Sequence, residues 1–245
     1  MKAFHALALA VQFLTRLPVP HGIGFTAEAQ GGSVACYPLV GLLIGGLLVL
    51  MLGLLGGMGP LLVSALLSTV WVGITGGLHL DGLADTADAW IGGQGDRERS
   101  LRIMKEPSSG PIAVVAVVVL LLLKFAALTE LLSPHRWVPL LWTPVIARSL
   151  IPILLLTTPY VRPNGLGSPL VANLPRFACW LASGMALLGA FIVLGPWPLL
   201  AAAISLGWLR MQMLRRLGGC TGDTLGASVE LVEAVVLVVS AITVS

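Results

Sequence analysis

The chain contains repeated runs of about twenty residues with almost no polar side chains, and these runs restrict its fold more than any other feature. A helical run of that length matches the hydrocarbon core of a bilayer, because a helix rises about 1.5 Å per residue. The mean hydropathy is +0.96 and only 10% of residues are charged, whereas soluble domains are about a quarter charged. We therefore expect an all-α, polytopic membrane protein.

About seven segments are predicted to cross the membrane, separated by polar or glycine-rich links. They are approximately 36–55, 60–80, 112–132, 137–157, 177–194, 197–213 and 230–244. The first twenty residues are less regular, because Gln12 and Arg16 interrupt the apolar pattern and Pro18 ends it. We interpret this segment as an interfacial or half-inserted helix. Residues 1–245 are expected to form a single integral-membrane domain.

Basic residues are concentrated in three long links, 81–110, 158–176 and 214–229. Seven crossings would place all three links on one side of the membrane. By the positive-inside rule that side is cytoplasmic, so we expect a protein of the inner membrane. The net charge of +3 therefore indicates topology rather than nucleic-acid binding.

Acidic side chains are scarce, yet six of the 11 lie between positions 81 and 106. Asp81, Asp85 and Asp88 have a helical i, i+4, i+7 spacing, which directs them within about 60° of one another. Like charges at this spacing repel, so a cation is expected between them. Carboxylate oxygens suit Mg²⁺, which commonly binds one or two carboxylates together with water and phosphate oxygens. We predict a phosphoryl-transfer site; the alternative is a solvated acidic helix face.

A second candidate segment is the glycine-rich stretch 218–227, just before the last apolar run. Thr221 and Gly222 offer a hydroxyl and backbone N–H groups to an anion, at the N-terminus of the final helix. Asp223 is the candidate fourth carboxylate of the metal site. Glu230 enters the apolar run, where an ionised group is expected to face a polar cavity. The alternative is a flexible glycine-rich turn followed by capping acids.

Several isolated residues add to this picture. Arg102 and Lys105 follow the acidic stretch and would balance phosphate charge. Arg148 lies within the fourth apolar run and needs a partner or a polar cavity, so we expect it to face the site. His79 is a candidate general base, with a structural histidine as the alternative. Cys220 has no histidine near it in sequence and is interpreted as a packing residue.

Four motifs occur in a characteristic order along the chain. They are Phe13–Pro20, His79–Trp90, Ile103–Lys105, and Gly218–Ala227 followed by Glu230 and Glu233. Together they resemble the cobalamin synthase family, the adenosylcobinamide-GDP ribazoletransferases of bacteria and archaea, over nearly the full length. The resemblance implies a Mg²⁺-dependent membrane enzyme that joins adenosylcobinamide-GDP to α-ribazole, or to its 5′-phosphate, and releases GMP. It implies small-molecule substrates and no nucleic acid, and it is compatible with a homo-oligomer.

The candidate residues fit this chemistry. Asp81, Asp85, Asp88 and Asp223 would hold Mg²⁺ against the diphosphate, His79 and Asp88 are the catalytic candidates, and the substrate-binding candidates are Arg102, Lys105, Arg148, Thr221, Gly222 and Glu230. One departure is that the family usually has an aspartate and then a basic residue after the Ile-Met-Lys motif. This chain has Glu106 and Ser108 in that stretch.

Two other functions share some of these features. A CDP-alcohol phosphotransferase also uses aspartates of a motif containing Asp-Gly, but it usually has an arginine where this chain has Asp85. A transporter of divalent cations or corrinoids would need its acids near the middle of the bilayer, whereas these acids cluster in links on one face.

Overall fold

A computed structural model describes residues 2–20, 26–132, 136–163, 165 and 167–243 of the chain. Twelve α-helices are present in these ranges. They are α1 (Lys2–Leu14), α2 (Ala27–Ala35), α3 (Tyr37–Leu54), α4 (Pro60–Thr75), α5 (Leu78–Gly92), α6 (Arg97–Ile103), α7 (Pro111–Leu132), α8 (Val138–Thr157), α9 (Ser168–Ala172), α10 (Arg176–Leu194), α11 (Pro196–Leu217) and α12 (Gly222–Thr243). No β-strand occurs in the described ranges, where a single isolated bridge joins Tyr160 to Cys220.

Five helices are long and apolar enough to cross a membrane, namely α3, α7, α8, α10 and α12. The pair α4 and α5 adds a sixth if it counts as one broken span, although the two helices are bent by 87°. The predicted all-α, multi-pass fold is therefore confirmed, with five or six spans where about seven were expected. The difference lies partly in α11, which has 22 residues but is more polar because Arg210, Arg215 and Arg216 lie in its second half.

The N-terminal segment forms α1, which packs against α2 and α3 and buries Leu9 and Leu14. It is the short apolar helix that the sequence predicted, and its depth in the membrane stays a prediction. Residues 21–25 lie outside the described residues, and most of the polar stretch that follows them belongs to α2. This helix begins at Thr26, whose side chain accepts a hydrogen bond from the backbone N–H of Ala29 at 3.2 Å.

Helices α3 and α8 pack with their backbones almost in contact. A Cβ atom on Gly41 would lie 2.5 Å from the carbonyl oxygen of Pro144, and one on Gly45 would lie 2.2 Å from that of Leu141. Only glycine permits this approach, so Gly41 and Gly45 let the two helices pack closely. Gly46 faces open space and takes no part in the contact.

Two consecutive glycines produce the sharp bend between α4 and α5. Gly76 and Gly77 have φ values of 63° and 69°, which lie in the left-handed region that ends helices. A hydrogen bond from the segment after α1 stabilises this bend, because the N–H of Arg16 donates to the carbonyl oxygen of Ile74 at 2.7 Å. The bend turns α5 out of the direction of α4, so its acidic residues lie among the polar links.

The three long polar links contact one another. Arg97 Nε donates to the carbonyl oxygen of Leu217 at 2.8 Å, which joins the first link to the end of α11. The N–H of Cys220 donates to the carbonyl oxygen of Pro159 at 2.8 Å, which joins the second link to the third. The links therefore share one face of the helix bundle, as the sequence predicted.

Candidate active site

The site begins where α5 crosses α12. A Cβ atom on Gly82 would lie 2.7 Å from the carbonyl oxygen of Asp223, and one on Gly226 would lie 3.3 Å from the Cα of His79. Because neither glycine has a side chain, the two helices approach to backbone contact. The close crossing brings Asp223, in the first turn of α12, against the acidic turn of α5.

Three of the predicted carboxylates, Asp81, Asp85 and Asp223, act on one another at this crossing. Burial and, next, the charges of Asp81 and Asp223 together raise the pKa of Asp85 to about 6, while Arg162 opposes them. Burial disfavours the ionised carboxylate, and neighbouring negative charges disfavour it as well. The group is therefore suited to bind an additional cation.

The side chain of Arg162 brings a positive charge next to these carboxylates. Its Nη1 lies 2.8 Å from Oδ2 of Asp223, and its Nη2 donates to the carbonyl oxygen of Met104 at 3.4 Å. The preceding residue is held in place because the N–H of Val161 donates to the carbonyl oxygen of Cys220 at 3.0 Å. A short extended segment after α8 thus carries Arg162 to the start of α12.

Asp88 has a different environment from the other aspartates of α5. Its carboxylate accepts hydrogen bonds from the backbone N–H of Gly110 and, at 2.9 Å, from that of Ala113. These donors belong to the first turn of α7, whose unpaired N–H groups and positive dipole favour a carboxylate. The carboxylate of Asp88 therefore caps the start of α7, and the predicted metal-ligand and catalytic roles of Asp88 stay predictions.

A cavity of about 200 Å³ opens beside the carboxylates. Its polar end is lined by His79, Asp81, Arg162, Gly222 and Asp223. No atom lies within 4 Å of the position that a Cβ on Gly222 would occupy, so this glycine leaves the cavity floor open. Gly222 therefore lies where the sequence expected a substrate contact.

Thr221 fixes the beginning of α12. The N–H of Thr224 donates to Oγ1 of Thr221 at 3.2 Å, and the N–H of Thr221 donates to Oγ1 of Thr224 at 2.9 Å. This reciprocal pair is a capping box, and both residues are buried. The hydroxyl of Thr221 therefore holds the turn that presents Gly222 and Asp223, and the predicted contact of Thr221 with substrate stays a prediction.

Four charged side chains form a closed network inside the helix bundle. Lys124 Nζ lies 2.9 Å from Oε2 of Glu230 and also bonds Glu233, which in turn pairs with Arg148. The network has two positive and two negative charges, and each side chain is at most 8% exposed. Charges within apolar helices need such partners. Arg148 and Glu230 therefore pair inside the bundle, and their contact with substrate stays a prediction.

His79 lies between this network and the cavity. It is only 3% exposed, and its Nδ1 is 3.5 Å from Nη2 of Arg148. A guanidinium has donors but no acceptor, so this contact favours the tautomer whose proton is on Nε2. In that tautomer His79 is a hydrogen-bond donor, whereas the predicted base role requires an unprotonated Nε2.

Some other candidates lie away from the cavity. Arg102 and Lys105 are exposed and form no ion pair within the described part of the chain. The two departures from the family motif, Glu106 and Ser108, are exposed on the same turn. Burial raises the pKa of the Cys220 thiol to about 12, which agrees with a packing role and argues against a nucleophile.

The sequence patterns did not single out two residues, Arg162 and Lys124, that the structure places beside the carboxylates or in the buried charge network. Arg162 was counted only among the basic residues of the links, although it stands in a link on the same face as the acidic stretch. Lys124 lies within an apolar run, as Arg148 does, so the reasoning that selected Arg148 applies to Lys124 as well.

The described residues contain no group of three His, Cys, Asp or Glu side chains arranged to hold a metal ion on their own. Mg²⁺ does not require such a group, since it commonly takes one or two protein carboxylates and completes its shell with water and substrate oxygens. Asp81, Asp85 and Asp223 offer only hard oxygen donors, and the negative charges of Asp81 and Asp223 add to burial in raising the pKa of Asp85. The donor set therefore fits a Mg²⁺ ion that shares ligands with a phosphate group.

Comparisons with known proteins agree with the sequence motifs. The family model described as cobalamin-5-phosphate synthase matches residues 6–241. An adenosylcobinamide-GDP ribazoletransferase of Pseudomonas paraeruginosa is 53% identical over 245 residues, covering 98% of this chain and 99% of the relative. Enzymes of the same name from Stutzerimonas stutzeri and Acinetobacter baumannii are 51% and 46% identical, covering 95% and 94% of this chain and 96% and 94% of theirs. No solved structure matches the chain.

Proposed function

We propose, because the chain belongs to the cobalamin-5-phosphate synthase family, that it joins adenosylcobinamide-GDP to α-ribazole at the carboxylate site between α5 and α12. It is a multi-pass membrane transferase of cobalamin assembly. The comparisons do not favour a CDP-alcohol phosphotransferase or a transporter. The observation that carries the proposed site is the convergence of Asp81 and Asp223 with Arg162 on one cavity.

Mg²⁺ is the proposed cofactor. Asp81, Asp85 and Asp223 are the residues that would hold it, supported by their carboxylate chemistry and by the excess negative charge around Asp85. When bound, the ion would neutralise the diphosphate and stabilise charge on the leaving phosphate. Asp88 supports the site indirectly, since it joins α5 to the start of α7.

The chain's own groups would orient the diphosphate. The first turn of α12 directs backbone N–H groups and a positive dipole end toward the cavity at Gly222. Arg162 would exchange its contact with Asp223 for a phosphate oxygen, and His79 Nε2 would donate a hydrogen bond. The 5′ hydroxyl oxygen of α-ribazole would then form a bond to the phosphorus next to cobinamide, and the bond from that phosphorus to the bridging oxygen would break. GMP would leave with that oxygen and its electron pair, and the hydroxyl proton would pass to a GMP phosphate oxygen or to water.

The inner membrane and a cytoplasm-facing site are also proposed. Support comes from the basic residues, which gather in the links around the site. A cysteine introduced at Gln94 should react with a membrane-impermeant maleimide only in inverted vesicles. Reaction in intact spheroplasts would invert the proposed orientation.

The proposed reaction is tested by incubating the purified protein in liposomes with Mg²⁺, adenosylcobinamide-GDP and α-ribazole. Formation of GMP and a cobalamin is expected, and no product from folded protein would overturn the assigned activity. Asp81→Asn and Asp85→Asn should each lower the rate at least about a hundredfold without loss of folded protein. Glu98→Gln is the matched control, since this acid of the same link is 74% exposed. Wild-type rates in both aspartate variants would place the metal elsewhere.

A further inference from the structure

The cavity beside the carboxylates has a second, apolar end that the metal and diphosphate do not use. Its walls come from four helices and include Phe13, Leu14, the ring of Tyr37, Ile151, Leu155 and Leu170. The rings of Phe13 and Tyr37 are stacked, with centroids 6.4 Å apart and an angle of 12° between their planes. We call this aromatic and aliphatic part of the cavity lining the slot.

The two ends of the cavity match the two parts of one substrate. Aromatic and aliphatic walls favour an uncharged ring, because burying its apolar surface is favourable and stacked rings add to this. The acidic end favours a hydroxyl group that can approach a carboxylate-bound cation. α-Ribazole has an uncharged bicyclic base at one end and a ribose hydroxyl at the other, so it can satisfy both ends at once.

The other substrate does not fit this space. About 200 Å³ accommodates a bicyclic base with part of its sugar, and a corrin ring is much larger than this. The diphosphate can still reach the carboxylates from outside, because Asp81 and Gly222 are exposed. The dimensions therefore allow one substrate inside the cavity and one at its mouth.

We propose that the apolar end of this cavity binds the aromatic base of α-ribazole, so that its 5′ oxygen points outward to adenosylcobinamide-GDP at the mouth. This inference rests on the proposed function. Ile151 and Leu155 stand one helical turn apart on α8 and both line the slot, so they limit the size of base that it accepts. The enzyme's preference among bases would follow from this limit.

A substitution that makes the slot narrower tests whether it binds the base of α-ribazole. Leu155→Phe should raise KM for α-ribazole about tenfold or more, because pockets distinguish single methyl groups by about 10- to 200-fold. KM for adenosylcobinamide-GDP should change by less than a factor of two. A riboside of benzimidazole without its two methyl groups should be affected less than α-ribazole itself. The matched control is Ile153→Phe, on the same helix but outside the cavity, which should leave both KM values unchanged.

A widening variant keeps the test decisive if Leu155→Phe does not fold. Leu155→Ala should increase kcat/KM for ribosides with larger bases relative to α-ribazole. Calorimetric titration of α-ribazole alone, without its co-substrate, should show weaker binding in Leu155→Phe than in wild type. Equal effects on both substrates, or an unchanged KM for α-ribazole and unchanged base preference, would overturn the slot. Those outcomes in an active wild-type enzyme leave the proposed function intact, whereas an inactive wild type would overturn that function.

Discussion

Removing one charge from the buried network should destabilise the protein far more than removing a matched pair. Arg148→Met would leave Lys124 facing both Glu230 and Glu233, with a net charge of −1 among side chains that are at most 8% exposed. Glu233→Gln would leave a net charge of +1. Leaving one buried charge without its partner costs about 3 to 5 kcal/mol, so each single variant should lose that much stability.

The double variant restores the balance of charge. Lys124 keeps Glu230 at 2.9 Å, and a glutamine at 233 still offers Lys124 a carbonyl acceptor. The loss of stability in Arg148→Met/Glu233→Gln should therefore be smaller than the sum of the single losses by about 3 kcal/mol or more.

Unfolding in mixed micelles, followed by circular dichroism and by thermal melting, measures this double-mutant cycle. Glu98→Gln is the control, because its ion pair is exposed and should contribute about 0 to 1 kcal/mol. Additive losses would refute the charge-balance argument. The same double variant should keep its activity within about tenfold, or 1.4 kcal/mol. A stable but inactive double variant would contradict this expectation and give Arg148 a role at the site, either through His79 or on the substrate.

Three further predictions concern the site itself. The affinity for Mg²⁺, followed by calorimetry, should fall as pH decreases through about 6, because Asp85 has a raised pKa near that value and protons then compete with the ion; an affinity that is flat from pH 5 to 8 would contradict this. Gly82→Ala should cost about 1 to 3 kcal/mol and most activity, since its Cβ would press on the backbone of α12 at 2.7 Å. The control Gly46→Ala faces open space and should be neutral or slightly stabilising in the same melt. His79→Gln should lower kcat by less than about a hundredfold if His79 only donates a hydrogen bond, whereas a loss of 10²- to 10⁴-fold would restore the base role.

Local patterns in the sequence were enough to predict the class of fold and half of the site. The apolar runs predicted a helical membrane protein because hydrophobic length is a property of consecutive residues. The i, i+4 spacing of Asp81 and Asp85 predicted a shared helix face for the same reason, and the structure places both on α5. The glycine-rich segment before the last run predicted that Asp223 would stand at a helix start near them, and it does.

Only the tertiary structure decided what each charged group pairs with. Lys124 and Glu230 are 106 residues apart in sequence, and Asp88 and Ala113 are 25 apart, so no local spacing indicates either contact. Charge in an apolar bundle requires a partner, but the choice of partner depends on which helices cross and how closely. Small residues such as Gly82 determine these crossings, because they allow α5 and α12 to come into contact. The composition of the chain therefore determined that it crosses a membrane, and the helix crossings determined which of its charges are left to act on a substrate.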